Sequence, residues 1–93
     1  MTPDEFIALA RSLNKNPKRS AYSGTNYCMT AFEETSAYVE RENVDSKVGK
    51  CYVKHGEAVS DEIDLTDPAE FAKVWGVFAT FSRRDVTEHA EGL

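Results

Sequence analysis

An apolar stripe near the C-terminus limits the folds open to this chain more than any other feature. Large apolar side chains recur there at the spacing of one face of an α-helix, at Phe71, Val74, Trp75, Phe78 and Phe81. Asp67 and Pro68 supply a cap and a first helical position just before the stripe. A helix with so large an apolar face must be covered, so the rest of the chain has to provide a second layer.

A second helix is predicted at the N-terminus. Thr2 and Glu5 have the spacing of a capping box, and Pro3 stands at the first helical position. The apolar face of this helix is formed by Phe6, Leu9 and Leu13. We expect the helix to end near Asn14, because a polar sequence containing proline follows it, and residues 15–26 to form a loop.

Three later segments have the composition and alternation of β-strands, at residues 36–42, 48–54 and 58–65. A register that pairs Val39 with Cys51 places small apolar groups on one face. The same register puts Tyr38 opposite Tyr52 on the other face, which is a favourable cross-strand pair. The pattern therefore predicts an antiparallel meander with one apolar face.

The third of these segments contains an irregularity. Its apolar face is predicted to carry Val59, Ile63 and Leu65, and the other face Ser60, Glu62 and Asp64. Asp61 breaks this pattern, because it falls on the apolar face. We therefore expect Asp61 to lie near a sheet edge or at a β-bulge.

The signals in residues 27–41 conflict. One helical face is compatible with Cys28, Phe32, Thr35 and Val39, whereas the alternation of a strand is present at Tyr27, Met29 and Ala31. We predict a short helix over about residues 26–34 and then the strand at 36–42. A long strand throughout is the alternative.

These elements predict one α+β domain over residues 1–93. A small three-stranded antiparallel meander forms one layer, and the N-terminal and C-terminal amphipathic helices cover one of its faces. Residues 86–93 are expected to form a frayed tail.

Composition narrows the function classes. A net charge of −5 argues against nonspecific nucleic-acid binding and against docking on anionic lipid. No apolar run approaches the roughly 20 residues that span a bilayer, so no membrane contact is expected. The two cysteines, Cys28 and Cys51, are interpreted as reduced thiols of a cytoplasmic protein, with a single disulfide as the alternative.

Signatures of catalysis and of metal binding are missing from the sequence. The cysteines and histidines, Cys28, Cys51, His55 and His89, do not have the spacing of a metal site. The glycines form no loop of the kind that cradles a phosphate. We therefore expect no metal, no cofactor and no enzymatic activity.

Three groups of residues are candidate contact sites. The first is an acidic segment without Lys or Arg, at Glu57, Asp61, Glu62, Asp64, Asp67 and Glu70. The second is the pair Tyr38 and Tyr52, because tyrosine is enriched in protein interfaces. A secondary basic contact is predicted at Arg11, Lys15, Lys18 and Arg19. The structural alternatives are a solvated edge strand with a helix start, ordinary cross-strand packing, and a polar helix end, respectively.

Together these features predict a small acidic binding protein whose partner is a larger protein with a basic surface. One form of this hypothesis is an inhibitor that mimics nucleic-acid phosphates and blocks a nucleic-acid-handling complex. The analogy is to phage anti-host and anti-CRISPR proteins, in size and charge only. The alternative is a self-assembling structural or accessory subunit, and the sequence leaves both monomer and homodimer open.

Overall fold

The computed structural model describes the backbone of residues 1–92 and the side chains of residues 1–81. Its elements are α1 (Pro3–Asn14), β1 (Ser20–Ser23), β2 (Tyr27–Phe32), β3 (Thr35–Glu40), β4 (Gly49–His55), β5 (Ala58–Leu65) and α2 (Pro68–Gly92). The frayed tail predicted at residues 86–93 falls among residues whose side chains lie outside the described part, and it stays a prediction.

The five strands form one antiparallel sheet in the order β1-β2-β3-β4-β5, so that each strand pairs with the next one in the chain. Both helices pack on the same face of this sheet, which buries a single core between the two layers. The predicted α+β class is confirmed. The predicted three-stranded meander is wrong in its number of strands, because two more strands precede it.

The additional hairpin corrects two predictions. The short helix predicted over residues 26–34 is wrong, because Tyr27–Phe32 is a strand whose Cys28 and Thr30 are fully buried in the core face. The long strand of the alternative is also interrupted, since Glu33 adopts a φ of 55° in a tight turn before β3. The predicted loop at 15–26 contains β1. Burial against the helices outweighs the modest helix propensity of this segment.

The register of β3 with β4 is the predicted one, with Val39 opposite Cys51 and Tyr38 opposite Tyr52. The bulge expected at Asp61 is also confirmed, because this residue has a φ of 51° and the pairing of β4 with β5 shifts there.

The bulge reverses the alternation at the start of β5. Val59 lies opposite Lys54 and is 53% exposed, whereas Ser60 lies opposite the buried Val53. The prediction that Val59 shares the apolar face with Ile63 is therefore wrong. An extra residue in one strand changes the face of every residue beyond it.

Aromatic rings hold the helices to each other and to the sheet. Phe6 of α1 stacks on Phe78 of α2 with ring centroids 5.6 Å apart, and both side chains are fully buried. Trp75 is half-buried beneath the guanidinium of Arg41, which lies 4.2 Å from the ring centroid. The Arg41 Nε also donates a hydrogen bond to the Thr25 carbonyl at 2.9 Å. The loop before β2 is thereby joined to α2.

Candidate contact surface on the open sheet face

The described side chains of the helices, up to residue 81, pack on one face of the sheet only. The opposite face is called the open face below. Because side chains alternate along a strand, the residues between the buried positions point to it. Its central side chains are Tyr22, Tyr27, Met29, Tyr38, Glu40, Lys50, Tyr52, Lys54, Glu62 and Asp64. The open face is thus aromatic in its middle and charged toward β5.

The four tyrosines of the chain form one continuous row across β1 to β4 on this face. Ring centroids are 4.9 Å apart for Tyr22 and Tyr27, 6.3 Å for Tyr27 and Tyr38, and 5.1 Å for Tyr38 and Tyr52. We call this row the tyrosine ladder. Aromatic pairs at such distances attract one another beyond the area that they bury.

The orientation of the rings limits how much of each ring face is accessible in the ladder. Tyr38 and Tyr52 are almost parallel, with 11° between their planes. At the other end, the Tyr22 ring packs so closely on Gly24 that a Cβ atom there would lie 2.6 Å from the ring. The ladder therefore presents ring edges more than open ring faces.

Charged side chains border the ladder on the side of β4 and β5. The Lys50 Nζ lies 3.6 Å from carboxylate oxygens of both Glu40 and Glu62. The Tyr52 hydroxyl donates a hydrogen bond to the Glu40 Oε2 at 3.2 Å. Burial, and next the carboxylate of Glu40, raise the pKa of Tyr52 to about 12, so its hydroxyl remains a donor at neutral pH. The Lys54 Nζ lies 5.8 Å from the centroid of the Tyr38 ring.

The predicted acidic segment is exposed at all six positions, but the fold divides it. Glu62 and Asp64 lie on the open face beside Lys50, and Asp61 forms the bulge in the same edge strand. Glu57 lies in the turn before β5. Asp67 and Glu70 belong to the start of α2, where the Asp67 Oδ1 accepts a hydrogen bond from the Ala69 N–H at 3.0 Å. Only part of the segment therefore adjoins the ladder.

The four predicted basic residues are divided between the end of α1, which packs on β2 and β3, and the segment before β1. Arg11 and Lys15 stand at the end of α1, and Lys18 and Arg19 lead into β1. Arg19 is half-buried, and its Nε donates a hydrogen bond to the Asn14 Oδ1 at 3.3 Å. This contact supports the structural interpretation for Arg19.

Sequence reasoning identified half of the ladder. Tyr38 and Tyr52 were found from the register of β3 and β4. Tyr22 and Tyr27 were not placed in this row, because their segments were interpreted as a loop and a helix. The alternation of Tyr27, Met29 and Ala31 was the available signal, and it matches the strand that the structure contains.

The thiols do not form a reactive site. Cys28 and Cys51 are not joined by a disulfide, and both are fully buried. Burial raises the pKa of Cys51 to about 12, which keeps it in the unreactive thiol form. Within the described residues, no group of three or more His, Cys, Asp or Glu side chains is placed to hold a metal ion.

In comparisons with known proteins, no family model, no curated protein and no solved structure matches this chain. Among the described residues, no helix combines the length and the apolar character needed to cross a membrane. The geometry of the surface is therefore the basis for the function proposed next.

Proposed function

We propose that this chain is a non-enzymatic binding protein that docks on a larger protein through the open face. The observation that carries the proposal is the tyrosine ladder. Four aromatic rings in contact on the open face form a surface with low conformational entropy, the kind of surface from which interface hot spots are built.

A protein partner fits this surface better than a nucleic acid. Proteins that bind single strands stack each base on a free aromatic face, whereas Tyr38 and Tyr52 stack on each other and the remaining neighbours in the ladder are in tilted ring contact. The carboxylates of Glu40, Glu62 and Asp64 on the same face, together with a net charge of −5, would repel a phosphate backbone.

Charge complementarity favours a partner with a basic surface. Lys50 is shared between Glu40 and Glu62, while Asp61 and Asp64 are exposed along the edge strand β5. Excess negative charge therefore remains beside the ladder. In this arrangement the carboxylates accelerate the encounter with a basic partner, and the tyrosines set the lifetime of the complex.

A finer form of the proposal is that the bound surface normally contacts a nucleic acid, so that docking inhibits a nucleic-acid-handling complex. The carboxylates of Glu62 and Asp64 are two residues apart on one strand, which corresponds to roughly 6.5–7 Å and resembles the spacing of successive phosphates. Phage anti-host proteins offer an analogy in size and charge only.

The test is a titration of the isotope-labelled protein with an arginine-rich peptide, followed by nuclear magnetic resonance. We expect the amide shifts to change around the ladder and β5. The double variant Glu62→Lys/Asp64→Lys should weaken binding steeply, and so should a rise in salt.

The matched control is Glu34→Lys/Asp45→Lys, which reverses two exposed acids in turns away from the ladder. It should keep most of the affinity. Equal losses in both double variants would mean that only the net charge matters. Shift changes that avoid the open face would contradict the proposal. A protein captured from cell lysate is then tested against the same variants, so that its specificity for the face is measured.

A further inference from the structure

The two edges of the sheet differ in how they resist pairing with another strand. The β5 edge carries the exposed carboxylates of Asp61, Glu62 and Asp64, and its bulge interrupts the regular row of backbone N–H and C=O groups. Charges and bulges are the usual protection of an edge strand. The β1 edge, Ser20–Ser23, has no charge, no proline and no bulge.

The turn that joins β1 to β2 determines which backbone groups of β1 point away from the sheet. Gly24 donates a hydrogen bond from its N–H to the Tyr27 carbonyl at 2.8 Å, so these two residues are a hydrogen-bonded pair. Hydrogen-bonded and non-hydrogen-bonded pairs alternate between antiparallel strands. Tyr22 and Ser20 therefore also direct their N–H and C=O groups toward β2.

The backbone groups of Ala21 and Ser23 must then point away from the sheet. In the described part of the chain, no hydrogen bond reaches these outward groups from another segment. They form two donors and two acceptors with the spacing of a strand.

We propose that the β1 edge pairs with the β1 edge of a second copy of this chain, antiparallel and around a two-fold axis. One register satisfies all the outward groups. Ala21 pairs with the partner subunit's Ser23, and Ser23 pairs with the partner subunit's Ala21. This register places Tyr22 directly opposite the partner subunit's Tyr22, on the open face. The pairing joins the two sheets and makes the two tyrosine ladders continuous.

The neighbouring charges permit this register. Continuing the antiparallel pairing places Arg19 opposite the partner subunit's Thr25, and Lys18 opposite the partner subunit's Asn26. Among the described side chains of this edge, no two cations therefore oppose each other across the axis. A β5 edge that met its own copy would instead bring like charges together. The composition of the two edges thus selects β1 for self-pairing.

The proposed contact is small, because it consists of one short strand and one tyrosine pair from each copy. We therefore expect a weak dimer, in the class of interfaces that bury less than about 1,200 Å². It does not depend on the proposed function, since a monomer can still bind a basic partner through the ladder.

The first test is sedimentation over a wide range of protein concentrations. The wild type should pass from monomer to dimer as concentration rises. Tyr22→Lys places two cations face to face at the axis and should weaken dimerisation about tenfold or more. The control is Tyr27→Lys, the same change on the same face but one strand further in, and it should dimerise nearly as well as the wild type.

A second variant is Ala21→Pro, which removes an outward donor without touching the bonds to β2. Circular dichroism reports whether it folds. If the Ala21→Pro variant folds, it should stay monomeric. If it does not fold, the comparison of Tyr22→Lys with Tyr27→Lys still tests the proposed dimer. A wild type that stays monomeric at the highest concentration, or equal dimerisation by both lysine variants, would overturn the proposal.

Hydrogen exchange tests the register itself. The amides of Ala21 and Ser23 should exchange rapidly in dilute solution and slowly in concentrated solution, whereas those of Ser20 and Tyr22 should be protected in both. Protection of Ala21 and Ser23 that does not change with concentration would contradict pairing between copies. Protection that appears only after a different protein is added would assign the edge to a strand of that protein.

Discussion

The two faces of this sheet are built from alternate residues of the same strands, yet they differ in almost every physical property. Ala37, Val39, Cys51 and Val53 on the covered face are at most 1% exposed. Tyr38 and Tyr52, which lie between them in the chain, are half-buried and belong to a polar aromatic surface. Because side chains alternate with a period of two, substitutions on the covered face should change stability alone, whereas substitutions on the open face should also change the proposed binding.

The largest expected effect is on the covered face, at Phe78. Phe78→Ala removes a fully buried ring that stacks on Phe6, and it should lower the free energy of unfolding by about 3–5 kcal/mol. Chemical denaturation measures this change. A loss below about 1 kcal/mol would show that α2 does not pack as described.

Gly49 tests how closely the covered face is packed. A Cβ at this position would collide with the Glu40 carbonyl oxygen and lie 2.6 Å from the Phe71 ring. Gly49→Ala should therefore cost about 1–3 kcal/mol of stability. Gly76→Ala is the matched control, because nothing lies within 4 Å of its added Cβ. In the exposed helix it should stabilise the protein by up to about 1 kcal/mol. Thermal unfolding measures both changes. If the Gly49→Ala variant unfolded at a higher temperature than the Gly76→Ala variant, the described packing around Gly49 would be contradicted.

Neighbouring residues of β3 provide the sharpest contrast between the faces. Tyr38→Ala should cost about 1–2 kcal/mol of stability, since it breaks two ring contacts of the ladder. It should nevertheless abolish most binding to the arginine-rich peptide. Val39→Ala should cost about 2 kcal/mol and leave the affinity of the folded protein unchanged. Calorimetric titration at a temperature where both variants are folded separates the two outcomes. Similar affinities for the two variants would remove the functional difference between the faces.

Titration of one residue on each face has the smallest effect near neutral pH, and its effect grows only in alkali. The pKa values of Cys51 and Tyr52 are raised to about 12 from ordinary values of 9.0 and 10.0. Because the folded state favours their neutral forms, their contribution to stability is complete below pH 9 and is lost as the pH rises toward 12. Denaturation midpoints should therefore be insensitive to these groups near neutrality and fall in alkali. The fall should be less steep in Cys51→Ala and in Tyr52→Phe. An unchanged slope in both variants would contradict the assignment.

The parts of the fold that sequence reasoning predicted correctly have signals that agree with one another. The capping box of Thr2 and Glu5 forms as expected, with hydrogen bonds of 2.8 and 3.1 Å, and α1 ends at Asn14. The register of β3 with β4 followed from matching apolar and charged positions on two strands. Consistency between local pattern and burial makes such elements predictable.

The hairpin of β1 and β2 was not predictable in the same way. Ser20–Ser23 has only one large side chain, so no alternation distinguishes it from a loop. Residues 27–32 satisfy both a helical and a strand period, and only packing against the helices decides between them. The complete ladder was missed for this reason, since two of its four tyrosines lie in that hairpin.

The position of Trp75 beneath Arg41, on the helical side of the sheet, has a practical consequence. Trp75 is the single tryptophan of the chain, and it lies on the helical side of the sheet, whereas all four tyrosines lie on the other side. Each side of the molecule therefore carries its own intrinsic chromophore. Tryptophan emission should report separation of the helices from the sheet, and tyrosine absorbance should report events on the ladder. Docking and unfolding can then be followed in one cuvette, without a label.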